Sequence, residues 1–193
     1  MKNTNQADSG TQSSSPSRTA LPYLFLDVDG VLNAYDCDKD LVSFDDFVVH
    51  EVSNDDGSGF SLTFDLWLSK TMGEKLSGLP VEIVWLTTWG HNANKKISPL
   101  VGLSENLETL PPPSAGITSH GVWKLDNLVR HVKNDPRPFI WIDDELGWIQ
   151  RKAPDGEASS RRLHERHLFI QPDPRMGISS LEFDRIAEFL DDH

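Results

Sequence analysis

Four short apolar runs constrain this sequence more than any other feature, because three of them end directly at acidic or hydroxyl side chains. Residues 23–26, 81–86, 139–142 and 167–170 have the length and composition of strands buried on both faces. Segments with apolar residues at helical spacing separate these runs. The alternation predicts an α/β fold, a Rossmann-like three-layer α/β/α sandwich with a parallel sheet.

The segments between the runs carry helix start and stop signals. Asp65 can cap a helix that reaches Leu76 and ends at Gly78. Apolar residues over 125–132 recur at i, i+3, i+4 and i+7, which is typical of one buried helical face. The last helix is predicted after Ser179, which can form a capping box with Glu182.

Two weaker elements complete the predicted fold. Residues 107–110 are expected to form a short fifth strand, and Pro99 predicts a short or kinked helix after Asn92.

Residues 47–64 break the alternation of strands and helices, since two strand-like runs flank an Asp-Gly turn. We expect a β-hairpin there, a small flap that takes the place of a large cap domain.

Composition limits the binding partners and the cellular location that we expect for this protein. The 193 residues carry a formal net charge of −12, which gives no field to hold long nucleic acid, and no apolar run is long enough to cross a membrane. The one cysteine, Cys37, excludes an internal disulfide and predicts a reducing, cytoplasmic setting. Residues 1–20 are polar and are expected to be a disordered leader, with a single domain over 21–193.

The predicted strand ends bring together the groups that phosphate chemistry needs. Ligands of open parallel sheets bind beyond the carboxyl ends of the strands. A divalent cation with a preference for oxygen ligands, Mg²⁺, would allow several carboxylates to share one crevice. The side chains expected at this edge are Asp27, Asp29, Thr87, Thr88, Asp143 and Asp144, with Lys124 near the start of a helix.

A calcium loop is the alternative interpretation of the first acidic cluster. Residues 27–33 read D-x-D-G-x-x-N, with Gly30 in the fourth position, whereas a calcium loop requires glycine in the sixth. A second alternation of aspartates, at 36, 38 and 40, has Leu41 where that glycine should stand. We therefore interpret residues 36–40 as a solvated acidic loop.

Four ordered motifs over about 21–190 resemble the haloacid dehalogenase (HAD) superfamily of phosphohydrolases. They are DVDGVLN at 27–33, the threonine that ends WLTT at 85–88, Lys124 in VWKLDN, and the acidic pair of WIDDE at 141–145. Three further stretches, TTWGHNAN, RPFIWIDDE and DPRMGIS, are similar to a small HAD-like domain grouped with bacterial RNA-repair (Swiss Army Knife) proteins. The resemblance implies a HAD-like fold.

The resemblance also implies a role for each motif residue. Asp27 would be the nucleophile that forms an aspartyl-phosphate, and Asp29 would be the general acid and base. Thr87 would donate its hydroxyl to a phosphoryl oxygen, although Thr88 could do so instead. Lys124 would offset the negative charge, with Lys133 as a weaker alternative. Mg²⁺ would be held by Asp27, Asp143, Asp144 and the carbonyl of Asp29.

Four residues are candidates for substrate binding. Gly30 lets the chain leave the strand sharply and close to the ligand. Thr88 and Trp89 follow the second strand and could line the site. His91, just beyond them, could contact the substrate or be an incidental loop histidine.

The function predicted from these residues is a Mg²⁺-dependent phosphatase acting through an aspartyl-phosphate. Its substrate would be a phosphorylated small molecule or the terminal phosphate of a short nucleic acid, bound weakly and with strong salt dependence. The alternatives are a nucleic-acid end phosphatase in RNA or DNA repair, or a non-catalytic phosphate- or nucleotide-binding module. Asp29 and the 143–144 pair disfavour a dehalogenase, which needs neither a second aspartate nor Mg²⁺.

Overall fold

The structure, a computed structural model, describes residues 20–35, 46–55, 61–112, 121–133, 135, 137–152 and 166–192. Four sequence-based predictions therefore concern residues outside the described ranges. They are the leader up to residue 19, the acidic loop at 36–40, Cys37, and the Asp-Gly tip of the hairpin.

A five-stranded parallel sheet forms the centre of the fold, in the order β5-β4-β1-β6-β7. All five strands were predicted, including the short β5, and the α/β fold class is confirmed. A separate antiparallel pair forms the hairpin. The seven strands of the described residues are β1 Tyr23–Leu26, β2 Phe47–Asp55, β3 Ser61–Ser69, β4 Glu82–Trp85, β5 Glu108–Thr109, β6 Phe139–Ile142 and β7 His167–Ile170.

Side chains alternate between two apolar layers, one on each face of the sheet. Leu24, Leu26 and Ile140 pack into one layer, while Phe25 and Trp141 pack into the other. Because successive residues of a strand point to opposite faces, each central strand must be apolar throughout. This requirement explains the continuous apolar runs in the sequence.

Within the described ranges, five α-helices cover the two faces. The first, second and fifth helices pack on the Leu24 face, and the third and fourth pack on the Phe25 face. Their bounds are α1 Lys70–Ser77, α2 Ser98–Val101, α3 Val122–Val132, α4 Leu146–Lys152 and α5 Ser180–Asp191. None of the described helices has both the length and the apolar character needed to span a membrane.

The helix signals were correct for α2, α3 and α5, and they missed α4. The capping box of Ser179 and Glu182 is present at the start of α5. Before Pro99, residues Ala93–Ile97 are π-helical and lead into the four-residue α2, in agreement with the expected short helix. Helix α4 was not predicted, because its seven residues are too few to show a clear helical period.

The predicted start of α1 at Asp65 is wrong. Strand β3 continues through Asp65 to Ser69, and the Ser69 hydroxyl caps α1 by accepting a hydrogen bond of 3.0 Å from the Met72 backbone N–H. Leu66 and Leu68 alternate inward and extend the hairpin pairing with β2. The hairpin therefore runs over 47–69, five residues beyond the expected 47–64, because cross-strand pairing and apolar alternation outweigh a possible cap.

Contacts from both strands attach this hairpin, which we call the flap, to the rest of the domain. Its inner side chains join the Leu24 layer. The Trp67 backbone N–H donates a 2.9 Å hydrogen bond to Oδ1 of Asn33, in the turn after β1. On the other strand, the Ser53 carbonyl accepts a hydrogen bond from the Lys96 ammonium. The flap is thereby held beside the carboxyl ends of the sheet strands.

Candidate active site

A tight turn after β1 brings two carboxylates to the edge of the sheet. The backbone N–H of Asp27 bonds to the Ile142 carbonyl and continues the ladder to β6. The chain then turns, and the Val28 carbonyl accepts hydrogen bonds from the N–H groups of residues 31, 32 and 33 at 2.8–3.2 Å. Asp27 is buried at the strand end, whereas Asp29 lies on the turn and lines open space.

Gly30 is required in this turn for two separate reasons. Its φ of +71° lies in the left-handed region that favours glycine. In addition, a Cβ at this position would lie 2.3 Å from Cγ of Asp144, well inside van der Waals contact. The predicted sharp exit from the strand is therefore present, and the turn approaches the acidic pair after β6 as well.

Lys124 lies between two buried carboxylates. Its Nζ atom is 2.5 Å from Oδ2 of Asp27 and 2.7 Å from Oδ2 of Asp143. Burial acts to lower the pKa of this lysine, but the two carboxylates outweigh it and raise the pKa above its usual range. The alternative candidate, Lys133, is exposed at the far end of α3, so the structure brings Lys124 and not Lys133 to the site.

Three carboxylates form an acidic triad: Asp27, Asp143 and Asp144 each offer an oxygen, and these atoms lie within 4.8 Å of one another. Burial and the charge of Asp27 raise the pKa of Asp143, and they raise the pKa of Asp144 to about 6. Carboxylates crowded in this way repel one another, and hard oxygen donors are the ligands that Mg²⁺ prefers. The residues present therefore fit a Mg²⁺ ion.

The Asp29 carboxylate lies outside this triad and is held by two donors. Asn33 Nδ2 donates to Oδ1 and Trp89 Nε1 donates to Oδ2, both at 2.9 Å. Burial raises the pKa of Asp29, and the two hydrogen bonds act in the opposite direction. Asp29 is thus a partly desolvated carboxylate of fixed orientation. The sequence motif included Asn33 but gave no reason to assign it this contact.

The two threonines after β4 occupy different environments. Thr87 has no exposed surface, and its Oγ1 accepts a hydrogen bond of 3.3 Å from the Trp89 backbone N–H. Thr88 is exposed and lines the site. His91 is exposed, two residues before the π-helical stretch, and does not line either cavity described next.

Two adjoining cavities flank Asp29. The first, which we call the acidic cavity, has a volume of about 270 Å³, and the second, the aromatic cleft, has about 260 Å³. Asp29, Tyr35 and Thr88 line both. The other lining residues are Asp27, Gly121, Trp123, Lys124, Asp144 and Glu145 in the acidic cavity, and Asn33, Phe64, Asp65, Leu66 and Trp89 in the aromatic cleft.

Tyr35 borders both cavities and was not singled out in the sequence. Its backbone N–H donates a 2.7 Å hydrogen bond to the Pro174 carbonyl, so the late DPRMGIS segment holds it in place. Burial and the charges of Asp29 and Asp144 raise the pKa of the Tyr35 hydroxyl above its usual range. The hydroxyl therefore keeps its proton and can act as a hydrogen-bond donor.

Phe64 and Glu145 are two further site residues that sequence reasoning missed. Phe64 is on the flap, within the predicted hairpin, and its place in the cleft depends on how the flap packs against Trp89. Glu145 directly follows the predicted acidic pair, and its backbone N–H donates a 2.9 Å hydrogen bond to Oδ1 of Asp143. The run of three acidic residues at 143–145 was the available signal for Glu145.

Comparisons with known proteins agree with this architecture. A search of curated proteins finds no match. Among solved structures, the HAD domain of effector protein Lem4 from Legionella pneumophila is similar, with a TM-score of 0.56 and 16% identity over 89% of this chain and 96% of that chain. At that identity the likeness establishes the fold.

The family profile of the HAD domain in Swiss Army Knife RNA repair proteins matches residues 23–183. The match includes both acidic pairs, Thr87, Thr88 and Lys124, and it confirms the resemblance inferred from the motifs. The chain belongs to the family of HAD domains in Swiss Army Knife RNA repair proteins, within the HAD hydrolase superfamily.

Proposed function

We propose that this protein is a Mg²⁺-dependent phosphatase in which Asp27 is the nucleophile. The observation that supports this most is the position of the Lys124 ammonium, 2.5 Å from Asp27 and 2.7 Å from Asp143 in a buried site. A cation there offsets the charge of the attacking carboxylate and of the incoming phosphoryl oxygens, whose mutual repulsion would otherwise oppose the reaction. Fixed charge of this kind is the main requirement of phosphoryl transfer.

The proposed reaction has two steps, and both use Asp27 and Asp29. A carboxylate oxygen of Asp27 forms a bond to phosphorus, the bond from phosphorus to the leaving oxygen breaks, and Asp29 donates a proton to that oxygen. The products are an alcohol and an aspartyl-phosphate. Water then attacks the same phosphorus while Asp29 takes up its proton, so that inorganic phosphate leaves and the Asp27 carboxylate is restored.

Mg²⁺ would be held by the acidic triad together with the Asp29 backbone carbonyl, as expected from the sequence. When bound, the ion would neutralise charge on the phosphoryl oxygens and polarise them. Thr88 is the better candidate for a phosphoryl contact, because it lines both cavities and Thr87 lines neither. The Tyr35 hydroxyl is a further donor at the same boundary.

Hydrolysis of p-nitrophenyl phosphate tests the proposal. We expect turnover that EDTA abolishes and Mg²⁺ restores, and less than about a tenth of the rate for Asp27→Asn, a change of at least ~1.4 kcal/mol in the barrier. Circular dichroism checks that the variant is folded. Activity that survives chelation would exclude the metal, and turnover by neither protein would favour the alternative of a non-catalytic binding module.

Phosphate-ended RNA is the second candidate substrate. The family description, with its reference to RNA repair, and the open cavities both favour a phosphate on a large carrier. The net charge of −12 opposes tight binding of a polyanion, so we expect weak and strongly salt-dependent use of such ends. Comparing kcat/KM for a mononucleotide and a phosphate-ended short RNA at low and high salt tests this. An untouched RNA beside a well-used mononucleotide would point to a small-molecule phosphatase.

A further inference from the structure

The apolar surface of the aromatic cleft has no role in the chemistry described above. Its walls include Tyr35, Phe64 and Trp89. The Phe64 and Trp89 rings meet edge to face, with centroids 5.9 Å apart and planes at 64°. Tyr35 is 46% exposed and Phe64 is 40% exposed, so both rings offer apolar surface to a ligand although both lie beside a polar site.

The position of the cleft relative to Asp29 indicates which part of a substrate it would hold. Asp29 lines both cavities, whereas Asp27, Asp144 and Lys124 line only the acidic cavity and Phe64 and Trp89 line only the aromatic cleft. The leaving oxygen must be next to the general acid. Atoms beyond that oxygen therefore extend into the aromatic cleft, away from Asp27 and Lys124.

We propose that the aromatic cleft binds the nucleobase of the substrate, so that the leaving group is a nucleoside. Aromatic side chains stack on every nucleobase, because each base has a π face. A nucleoside places its base one sugar away from the leaving oxygen, and Phe64 and Trp89 line the cleft that Asp29 borders and Asp27 does not. A cleft of about 260 Å³ has room for a base and its sugar, which is more than a single phenol requires.

The other face of the flap is acidic and disfavours a long strand that continues beyond the cleft. Glu51 and Asp65 are directly opposite each other in the β2–β3 pairing, so they project from the same face of the flap, the one opposite to Phe64. Both residues are exposed. Further backbone phosphates that crossed this face would be repelled, whereas an uncharged nucleoside would not.

This inference rests on the proposed function, because it names the leaving group of the same reaction. The test compares AMP with ribose 5-phosphate, which has the same primary alcohol as its leaving group and no base. Any effect that a variant transmits through Trp89 to Asp29 acts equally on both substrates. The ratio of their kcat/KM values therefore reports the base alone.

We expect wild type to prefer AMP by at least about ten-fold, in line with ~1–3 kcal/mol for a stacked base. Phe64→Ala should bring the ratio close to one. Phe64→Leu, which keeps an apolar contact with Trp89 and removes the flat ring, should also lower it. Val49→Ala, an exposed change on β2 outside the cleft, is the matched control and should leave the ratio at its wild-type value.

Two results would overturn the inference. One is equal use of AMP and ribose 5-phosphate by wild type. The other is a stronger preference for phosphotyrosine that Phe64→Ala removes, which would assign the rings to a phenolic leaving group.

Binding of adenosine, which carries no phosphate, separates this inference from the proposed function. Saturation-transfer NMR should detect the base protons with wild type and show a loss of signal with Phe64→Ala. Adenosine binding without turnover of any ester would support the cleft and contradict the phosphatase. Turnover of both esters without a base preference or adenosine binding would contradict the cleft and leave the phosphatase supported.

Discussion

The indole N–H of Trp89 donates a hydrogen bond of 2.9 Å to Oδ2 of Asp29, so the residue after the second threonine orients the proposed general acid. The Asp29 side chain is held from the other side by Asn33, whose own carbonyl oxygen accepts a hydrogen bond from the Trp67 backbone of the flap. The orientation of the Asp29 carboxylate thus depends both on the segment after β4, which carries Trp89, and on the flap.

Replacing Trp89 by phenylalanine removes the donor and keeps an aromatic ring. We expect the rate for an alkyl phosphate to fall about ten-fold, or ~1.4 kcal/mol, because an alkoxide needs a proton as it leaves. The rate for p-nitrophenyl phosphate should fall less, because that phenolate departs unaided. Trp148→Phe, a change outside both cavity linings, is the control. Equal losses on the two substrates would contradict a role through Asp29.

Replacing Gly30 by alanine should weaken Mg²⁺ binding more than it weakens the fold. The new Cβ would lie 2.3 Å from Cγ of Asp144 and must displace that carboxylate. Gly102→Ala is a matched control, because Gly102 has a similar φ of +78° and its nearest neighbour is a side-chain atom at 3.4 Å. Both variants should lose about 1 kcal/mol of unfolding free energy from backbone strain.

Mg²⁺ titration of the phosphatase rate distinguishes the two glycine variants. Only Gly30→Ala should raise the Mg²⁺ concentration needed for half-maximal rate, by about ten-fold or more. An equal response of both variants would mean that Asp144 does not hold the ion.

The turn at 173–177 should stabilise the fold in a pH-dependent way. Hydrogen bonds from Arg175 lower the pKa of the Asp173 carboxyl to about 2. Because the folded pKa lies below the ordinary value of 3.8, this contribution is present above pH 4 and disappears as the pH falls toward 2. Urea unfolding of wild type and Asp173→Asn should therefore differ at pH 7 and converge near pH 2.

This turn also adjoins the strand-end loop that carries the site. Pro174 accepts a hydrogen bond from Tyr35, and the Ile178 N–H donates one to the Val31 carbonyl. An Asp173→Asn difference that stayed constant between pH 7 and pH 2 would show that the charge of Asp173 makes no contribution.

The sequence predicted the sheet and the acidic edge because both follow from local patterns. Runs such as 139–142 are apolar throughout because both faces are covered, and the residue after each run must lie at the carboxyl edge. The pattern alone therefore places Asp27, Asp143 and Asp144 together. Lys124 could be included because the order of the motifs resembles one superfamily.

The rest of the site depends on contacts between distant segments, which leave little local signal. Asp65 has the chemistry of a helix cap, and only its pairing with β2 shows that it belongs to a strand. That pairing brings Phe64 to Trp89 and the Trp67 backbone to Asn33. Nor does the sequence separate Thr87 from Thr88, because the difference between them is burial and not residue type.

Detection of the covalent intermediate tests the central claim most directly. Wild type with Mg²⁺ and excess p-nitrophenyl phosphate is quenched in acid during turnover, digested and examined by mass spectrometry. We expect one phosphoryl group on the peptide that contains Asp27, and none in Asp27→Asn treated in the same way. A phosphoryl group on another residue, or rapid turnover by Asp27→Asn, would contradict the assignment of Asp27 as the nucleophile.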